Sequence, residues 1–358
     1  MRPIARAGLV SAVLGFGVLL TQSAVAGEQK DVIVMKNGDR ITGKVKGLEN
    51  GILKVDLDYV DGTTSIDWRK VVRLESNSLF IVRLKDGSLH SGKLATPVAA
   101  SSPTPRIEIS KEPRPPVVVD DSNIVRIVPT SESMLNRFSG AITTGTQYSK
   151  GNNTTQYSIA SELAYRETNW GGTLSYGGSL SSSTGAQTST RNEIDLNAYR
   201  LLPWRNYFYG GSAGFLQSSV QGIERRTNLG FGLGRLLKDT NRVRFAVMGG
   251  LGWQGTHYVP IPQTEQSQNL AVGLVIVSFN AFSFKSTRLA AEGTLAPSLT
   301  EAGREFAKAN ASYYIKLFGK IDWNLSFYGN WDTKPPAHLQ SSDYGTSTGV
   351  SYTFGTKY

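Results

Sequence analysis

The side chains able to do chemistry are few and poorly matched to one another. Cys is absent, which removes disulfides, thiol nucleophiles and thiolate metal sites together. Three histidines, His90, His257 and His338, are scattered without ligand-spaced partners, whereas a zinc site needs several such donors close together. Gly230-x-Gly232-x-Gly234 has the outline of a phosphate-cradling loop. It lies in a strand pattern with no helix after it, so the nucleotide reading lacks its structural condition, and these glycines are expected to make room inside the fold instead. A hydrolase of the serine type needs Ser and His on neighbouring strands with an orienting partner. Serine is abundant, but no expected strand presents a histidine, and only contact of His257 with a strand-end serine and a carboxylate would revive that reading. No catalytic residue, cofactor or metal is therefore expected.

What remains is a set of charges with a regular placement. Arg166, Arg191, Arg226, Arg244, Arg288, Lys308 and Lys316, with Glu162, Glu193, Asp195, Glu224 and Glu292, are assigned to the polar side of alternating segments. Successive strand residues face opposite sides, so these charges would point into a lumen. They could line a selective pore, or form a cross-strand lattice of ion pairs that rigidifies a narrow lumen. The mixed signs favour the lattice.

The elements that must position them are strands. Ile321, Trp323, Leu325, Phe327 and Trp331 share one face, opposite Lys320, Asp322, Asn324, Ser326 and Asn330. Tyr157, Ile159, Leu163 and Tyr165 do likewise, as do Val243, Phe245, Val247, Leu251 and Trp253. Repeated segments of about ten residues with apolar-out, polar-in alternation mark a membrane barrel. Twelve strands are expected, near residues 139–149, 154–166, 169–182, 188–201, 205–219, 224–238, 242–256, 267–280, 287–299, 304–317, 319–331 and 343–356. The eighth lacks clean alternation. Alternate connections are short and long, as periplasmic turns and external loops are. Trp170, Trp204, Trp253, Trp323 and Trp331 fall near strand ends, where interfacial aromatics gather. In the last segment the even positions from 344 to 358 carry the aromatic and aliphatic residues. Tyr352, Phe354 and Tyr358 stay in phase to the chain end and resemble the C-terminal signal read by barrel-assembly machinery.

Upstream the organisation differs. Arg2 and Arg6, an apolar run over residues 7–20 and Ala24-Val25-Ala26 read as a secretory signal peptide over residues 1–26. Residues 33–44, IVMKNGDRITGK, are echoed by residues 82–93, VRLKDGSLHSGK. Self-similarity of this kind means duplicated supersecondary units. Asn37-Gly38 and Asp86-Gly87 are two-residue hairpin signals that predict type I′ turns, and Gly43 and Gly92 fall where strands bend. The reading is two small SH3-like or Sm-like barrels, residues 27–78 and 79–130, the second with a Pro- and Ser-rich mobile loop over residues 97–116. The fold class is thus all-β: a transmembrane antiparallel barrel over residues 138–358, preceded by two small barrels.

The net charge is +10. A basic balance can serve nucleic acid, anionic lipid or anionic solutes, and export argues against nucleic acid. Thr144-Gly145 with Gly151-Asn152, the loop Asp332-Thr333-Lys334-Pro335-Pro336 and the final Gly349-Val350-Ser351-Tyr352-Thr353-Phe354-Gly355 together make the C-terminal two-thirds similar to the salt-stress-induced outer-membrane protein family, a group of barrels with no settled function. That resemblance implies a non-enzymatic outer-membrane barrel, structural or stress-responsive. Its partners would be outer-membrane lipid and the assembly machinery. The repeats would add periplasmic contacts, to peptidoglycan or a periplasmic protein. The alternative is a small-solute or anion-leaning channel.

Overall fold

The computed structural model describes residues 30–97, 105–130, 137–149, 154–167, 169–183, 185, 188–202, 206–260, 266–282 and 287–355. The expected signal peptide, Trp204 and Tyr358 lie outside the described residues. Among these there is no α-helix, only strands and two single 3-10 turns.

Nine strands build the N-terminal domain: β1 (Asp31–Met35), β2 (Arg40–Glu49), β3 (Ile52–Asp56), β4 (Thr63–Asp67), β5 (Val71–Leu84), β6 (Leu89–Ala95), β7 (Arg106–Lys111), β8 (Arg114–Asp120) and β9 (Ile124–Pro129). They form one sheet in the order β4-β3-β2-β1-β5-β6-β7-β8, with β9 paired to β2 and β5. The duplication is visible in the pairing. The first half of β5 pairs with β1, the first strand of repeat one. Its second half pairs with β6 and with β9, the last strand of repeat two. One strand thus ends the first repeat and begins the second, and the boundary expected between residues 78 and 79 falls inside it. A single apolar cluster runs through both halves, from Ile33 and Leu53 through Leu74 and Phe80 to Ile107 and Ile127. Trp68 ties them further, donating Nε1–H to the carbonyl of Asp121 at 3.0 Å.

Two expectations about this domain are corrected. The hairpin turns are not type I′, because Asn37 and Asp86 do not take positive φ while Gly38 and Gly87 do, at 90° and 88°. Gly38 N–H donates to Met35 O at 2.9 Å and Met35 N–H to Asp39 O at 2.8 Å. Gly87 and Leu84 repeat that arrangement with Leu84 O and Ser88 O at 3.0 Å each. This is a type I turn closed by a glycine in a bulge, identical in the two copies. Second, residues 97–116 are not one loop: β7 and the first residues of β8 lie within them. Ile107 and Ile109 are buried in the core, which outweighs the surrounding prolines. Pro115 and Pro116 are tolerated because β8 is an edge strand, where a missing N–H breaks no ladder.

The twelve expected long strands form a closed ring. They are β10 (Phe138–Ser149), β11 (Thr154–Arg166), β12 (Trp170–Ser183), β13 (Ser189–Leu201), β14 (Tyr207–Ser218), β15 (Ile223–Asp239), β16 (Val243–Tyr258), β17 (Ser267–Phe282), β18 (Thr287–Pro297), β19 (Glu305–Phe318), β20 (Ile321–Asp332) and β21 (Ser342–Phe354). Neighbours pair antiparallel in chain order, and β10 closes the ring on β21 over Gly140–Gly145 and Gly349–Phe354. The irregular eighth strand is β17. Its missing alternation has a cause: Leu270 and Val272 turn inward and bury with Ala296 and Phe306.

The barrel is inside-out relative to a soluble one. Leu229, Phe231, Leu233, Leu251, Tyr344 and Tyr352 are exposed on its outer wall, whereas Arg191, Asp322, Asn324 and Ser351 are buried within. Soluble monomers rarely leave contiguous apolar patches beyond a few hundred Å². An apolar band around a polar interior is what a barrel in lipid requires.

Candidate functional site: the barrel lumen and its two ends

Because β10 begins next to the N-terminal domain, alternate connections face that domain. The far end carries the connections after β10, β12, β14, β16, β18 and β20. The lumen between them is crossed by ion pairs at successive depths. Strands β13 and β19 stand six steps apart in either direction round the ring, so they are diametrically opposite. Lys308 on β19 nevertheless reaches Glu193 at 2.8 Å and Asp195 at 2.7 Å on β13. The strand alternation aims all three side chains inward, and the lumen is narrow enough for them to meet. Nearer the far end, Arg191 on β13 contacts Asp343 on β21 at 2.9 Å and Glu193 at 2.7 Å. Ser218 Oγ donates to the same Asp343 carboxylate at 2.7 Å, and the Arg191 guanidinium covers the Tyr328 ring at 4.5 Å. Nearer the domain, Arg288 on β18 approaches Glu162 on β11 at 4.0 Å and stacks on Tyr314 at 4.3 Å.

A second knot stands at the far end. Arg304, 1 % exposed, donates through Nε and Nη2 to both carboxylate oxygens of Asp332, at 3.0 and 2.7 Å. Its remaining donors reach Gln268, Glu301 and Tyr258. Arg226 joins at 3.8 Å from Asp332, with Nε donating to Thr256 at 3.1 Å.

The near end meets the N-terminal domain itself. Arg83 on β5 lies 3.3 Å from Asp239 on β15 and donates to Asn206 Oδ1 at 2.9 Å. Asn206 donates back to the carbonyl of Lys85 at 2.7 Å. It holds a left-handed φ of 56°, a conformation for which Asn is enriched. Asn241 donates to the carbonyl of Ile124 at 2.7 Å. Glu49 accepts from Arg166 at 2.9 Å, while Arg126 donates to the carbonyl of Glu167 at 3.0 Å. Burial at this junction pushes the Arg83 guanidinium down from its ordinary pKa, against the raising influence of Asp239. The lumen holds a cavity of about 480 Å³, lined by Arg83, Arg126, Tyr165, Tyr199, Tyr314 and Glu292 among others.

The charges singled out from the sequence are distributed as follows. Arg191, Glu193 and Lys308 come together, as do Arg288 and Glu162. Arg166 turns to the domain rather than to another barrel charge. Arg244 pairs with Asp239 at 3.2 Å, Arg226 belongs to the far-end knot, and Glu292 lines the cavity. Glu224 and Lys316 are both exposed: Glu224 sits in the register shift at Ile223/Arg225, while Lys316 keeps the inward register opposite the buried Asp322 at the end of its strand. Tyr352 faces outward on the closing strand, in phase with Phe354. Arg304, Asp332 and Asp343 were not among the expected lumen charges. Extending the inward parity one step beyond Phe306 and Gly345 would have found Arg304 and Asp343. His257 and His338 are exposed, and although His257 pairs with Ser267 through the strand backbone, among the described residues no side-chain hydrogen bond joins it to a serine or carboxylate.

A closed twelve-stranded antiparallel barrel with an apolar outer wall and a charged lumen is a transmembrane barrel. The chain belongs to the family described as "Protein of unknown function, DUF481", which matches residues 142–354. No curated protein matches it. Solved structures with some likeness include an outer-membrane channel from Pseudomonas putida F1, at 9 % identity, 61 % of this chain, 94 % of that chain and a TM-score of 0.33. The translocator domain of the autotransporter NalP from Neisseria meningitidis aligns at 15 % identity, 61 % of this chain, 87 % of that chain and a TM-score of 0.28. At such scores the likeness says nothing of function.

Proposed function

We propose that the protein is a non-catalytic outer-membrane barrel with a periplasmic N-terminal domain and a structural, stress-responsive role in the envelope. The observation that carries this reading is the Lys308 bridge to Glu193 and Asp195 across the full width of the barrel. A conducting pore keeps its lumen open, whereas here side chains from opposite walls meet inside it. Here the charges of both signs neutralise one another across the lumen, and the domain covers the near mouth. The outer membrane is the compartment that holds barrels of even strand number with both chain ends on the periplasmic side. The stress-responsive part of the reading rests on the salt-stress family resemblance. The small-barrel repeats would carry contacts to peptidoglycan or a periplasmic protein, and Tyr352 and Phe354 would engage the assembly machinery.

A second reading, a small-solute or anion-leaning channel, draws on the cavity of about 480 Å³ and the excess of basic residues. It requires the ion pairs that cross the lumen to move. Single-channel recording of the full chain in planar bilayers separates the two. Silence is expected at moderate voltage from protein shown to be folded by its heat-modifiable gel mobility. Discrete anion-preferring conductance would establish the channel instead.

A further inference from the structure

We propose that the cleft between the N-terminal domain and the outer wall of the barrel holds an anionic glycerophospholipid, drawn from the leaflet that the domain end of the barrel crosses. The proposal rests on the membrane reading above. The cleft has a volume of about 1010 Å³ and two unlike walls. On the domain side the β7–β8 hairpin overhangs the barrel and brings Lys111, Arg114 and Val117, beside Leu89 and His90 of β6. On the barrel side stand Trp170, Arg200, Tyr209 and Phe231. Arg200 and Trp170 are direct partners across β12 and β13. Arg200 must point outward, since Tyr199 beside it lines the lumen and strand neighbours alternate.

The chemistry of the walls selects the occupant. Leu89, Val117, Trp170 and Phe231 are each more than a third exposed, an apolar surface continuous with the lipid-facing band. Tyr209 and Phe231 add an aromatic pair with ring centroids 6.3 Å apart. Lys111, Arg114 and Arg200 are exposed at the mouth, and among the described residues no carboxylate stands within ion-pair distance of them. Glu167 is the one acidic residue in the lining, and it is already paired with Arg137. A free phosphate would use the cations and leave the apolar wall wet, and a neutral lipid would leave the cations unanswered. A phosphodiester headgroup with acyl chains satisfies both at the depth where headgroups lie.

The test uses the full chain reconstituted into vesicles of phosphatidylcholine alone and of phosphatidylcholine with phosphatidylglycerol. Flotation with both vesicle types checks the membrane reading independently, and failure to float would overturn that reading. Native mass spectrometry after detergent extraction from the mixed vesicles then counts the retained lipid. Preferential retention of phosphatidylglycerol by the unaltered protein is expected. It should fall about fivefold for each cation removed, the change that matches the usual worth of a basic residue at an anionic surface. The variants are Lys111→Ala with Arg114→Ala on the exposed hairpin, and Arg200→Ala separately. Equal retention of the two lipids, undiminished phosphatidylglycerol in both variants, or full displacement by inorganic phosphate would each overturn the lipid site.

Discussion

At the scale of single residues, the lumen depends on Lys308. Its ammonium stands between two inward carboxylates, and removing one partner of a buried ionic cluster costs about 3–5 kcal/mol because the other charges stay buried. Lys308→Met should therefore lower the temperature of the heat-induced gel shift markedly. Adding Glu193→Gln and Asp195→Asn should recover most of the loss. An unchanged transition in the single variant would mean that the bridge does not hold the barrel. The two repeat turns provide a finer contrast. Asn37 Oδ1 accepts from the Asp39 N–H at 3.2 Å, and at the matching place Asp86 accepts from Ser88 N–H at 2.9 Å and Oγ at 2.7 Å. The side-chain and backbone bonds from Ser88 hold the Asp86 carboxyl below its ordinary pKa. A depressed carboxyl contributes stability that is complete above the unfolded value of about 3.9 and lost as pH falls through the folded value. Amide exchange at Ser88 should accordingly accelerate below about pH 4, and Asp86→Asn should remove that dependence.

Strands impose their own constraints. A Cβ placed on Gly92 would collide with the carbonyl of Ser110, and one on Gly43 with the carbonyl of Asp56. The duplicated glycines mark close backbone approach as well as bending. Gly92→Ala should destabilise the N-terminal domain by about 1–3 kcal/mol, the usual penalty of overpacking, measured by denaturant-dependent proteolysis of the domain in the full protein. On the barrel, the alternation makes opposite faces unequal. Leu251 is 66 % exposed on the outer wall, so Leu251→Arg should cost about 2–4 kcal/mol if it lies near the bilayer centre. Asn310→Gln, facing the cavity, should cost much less. Equal effects in a lipid-refolding titration would show that the outer wall does not meet lipid.

For the whole molecule, the decisive feature is how the domain sits on the barrel. Glu49 touches both Arg166, at 2.9 Å, and Arg126, at 3.9 Å, so Glu49→Lys would set three cations together at the junction. Spin labels on the domain and on a barrel turn should then report a broadened distance distribution, whereas Glu75→Lys, remote from the junction, should leave it sharp. If both variants match the unaltered protein, the Arg166 and Arg126 contacts do not hold the domain in place.

Much of this was legible in the sequence, and the reason is periodicity. A strand in lipid has one face that must be apolar and one that faces water or protein, so Leu229, Phe231 and Leu233 declare their side without any tertiary information. Such stripes, repeated along the C-terminal two-thirds, set the strand number, and the Lys and Gly positions shared by Lys36-to-Lys44 and Lys85-to-Lys93 revealed the duplication. Where pattern failed, an interaction outside the strand was responsible. Leu270 and Val272 break the alternation of β17 because Phe306 shelters them, and the bulge at Ile223/Arg225 leaves Glu224 exposed. Ion-pair partners were not readable, since alternation fixes which face a charge takes but not which distant strand it meets. That Lys308 reaches the opposite wall and that Arg83 and Glu49 seat the domain on the barrel depend on ring closure and docking. Those bring together residues more than a hundred positions apart, and only the tertiary structure decides them.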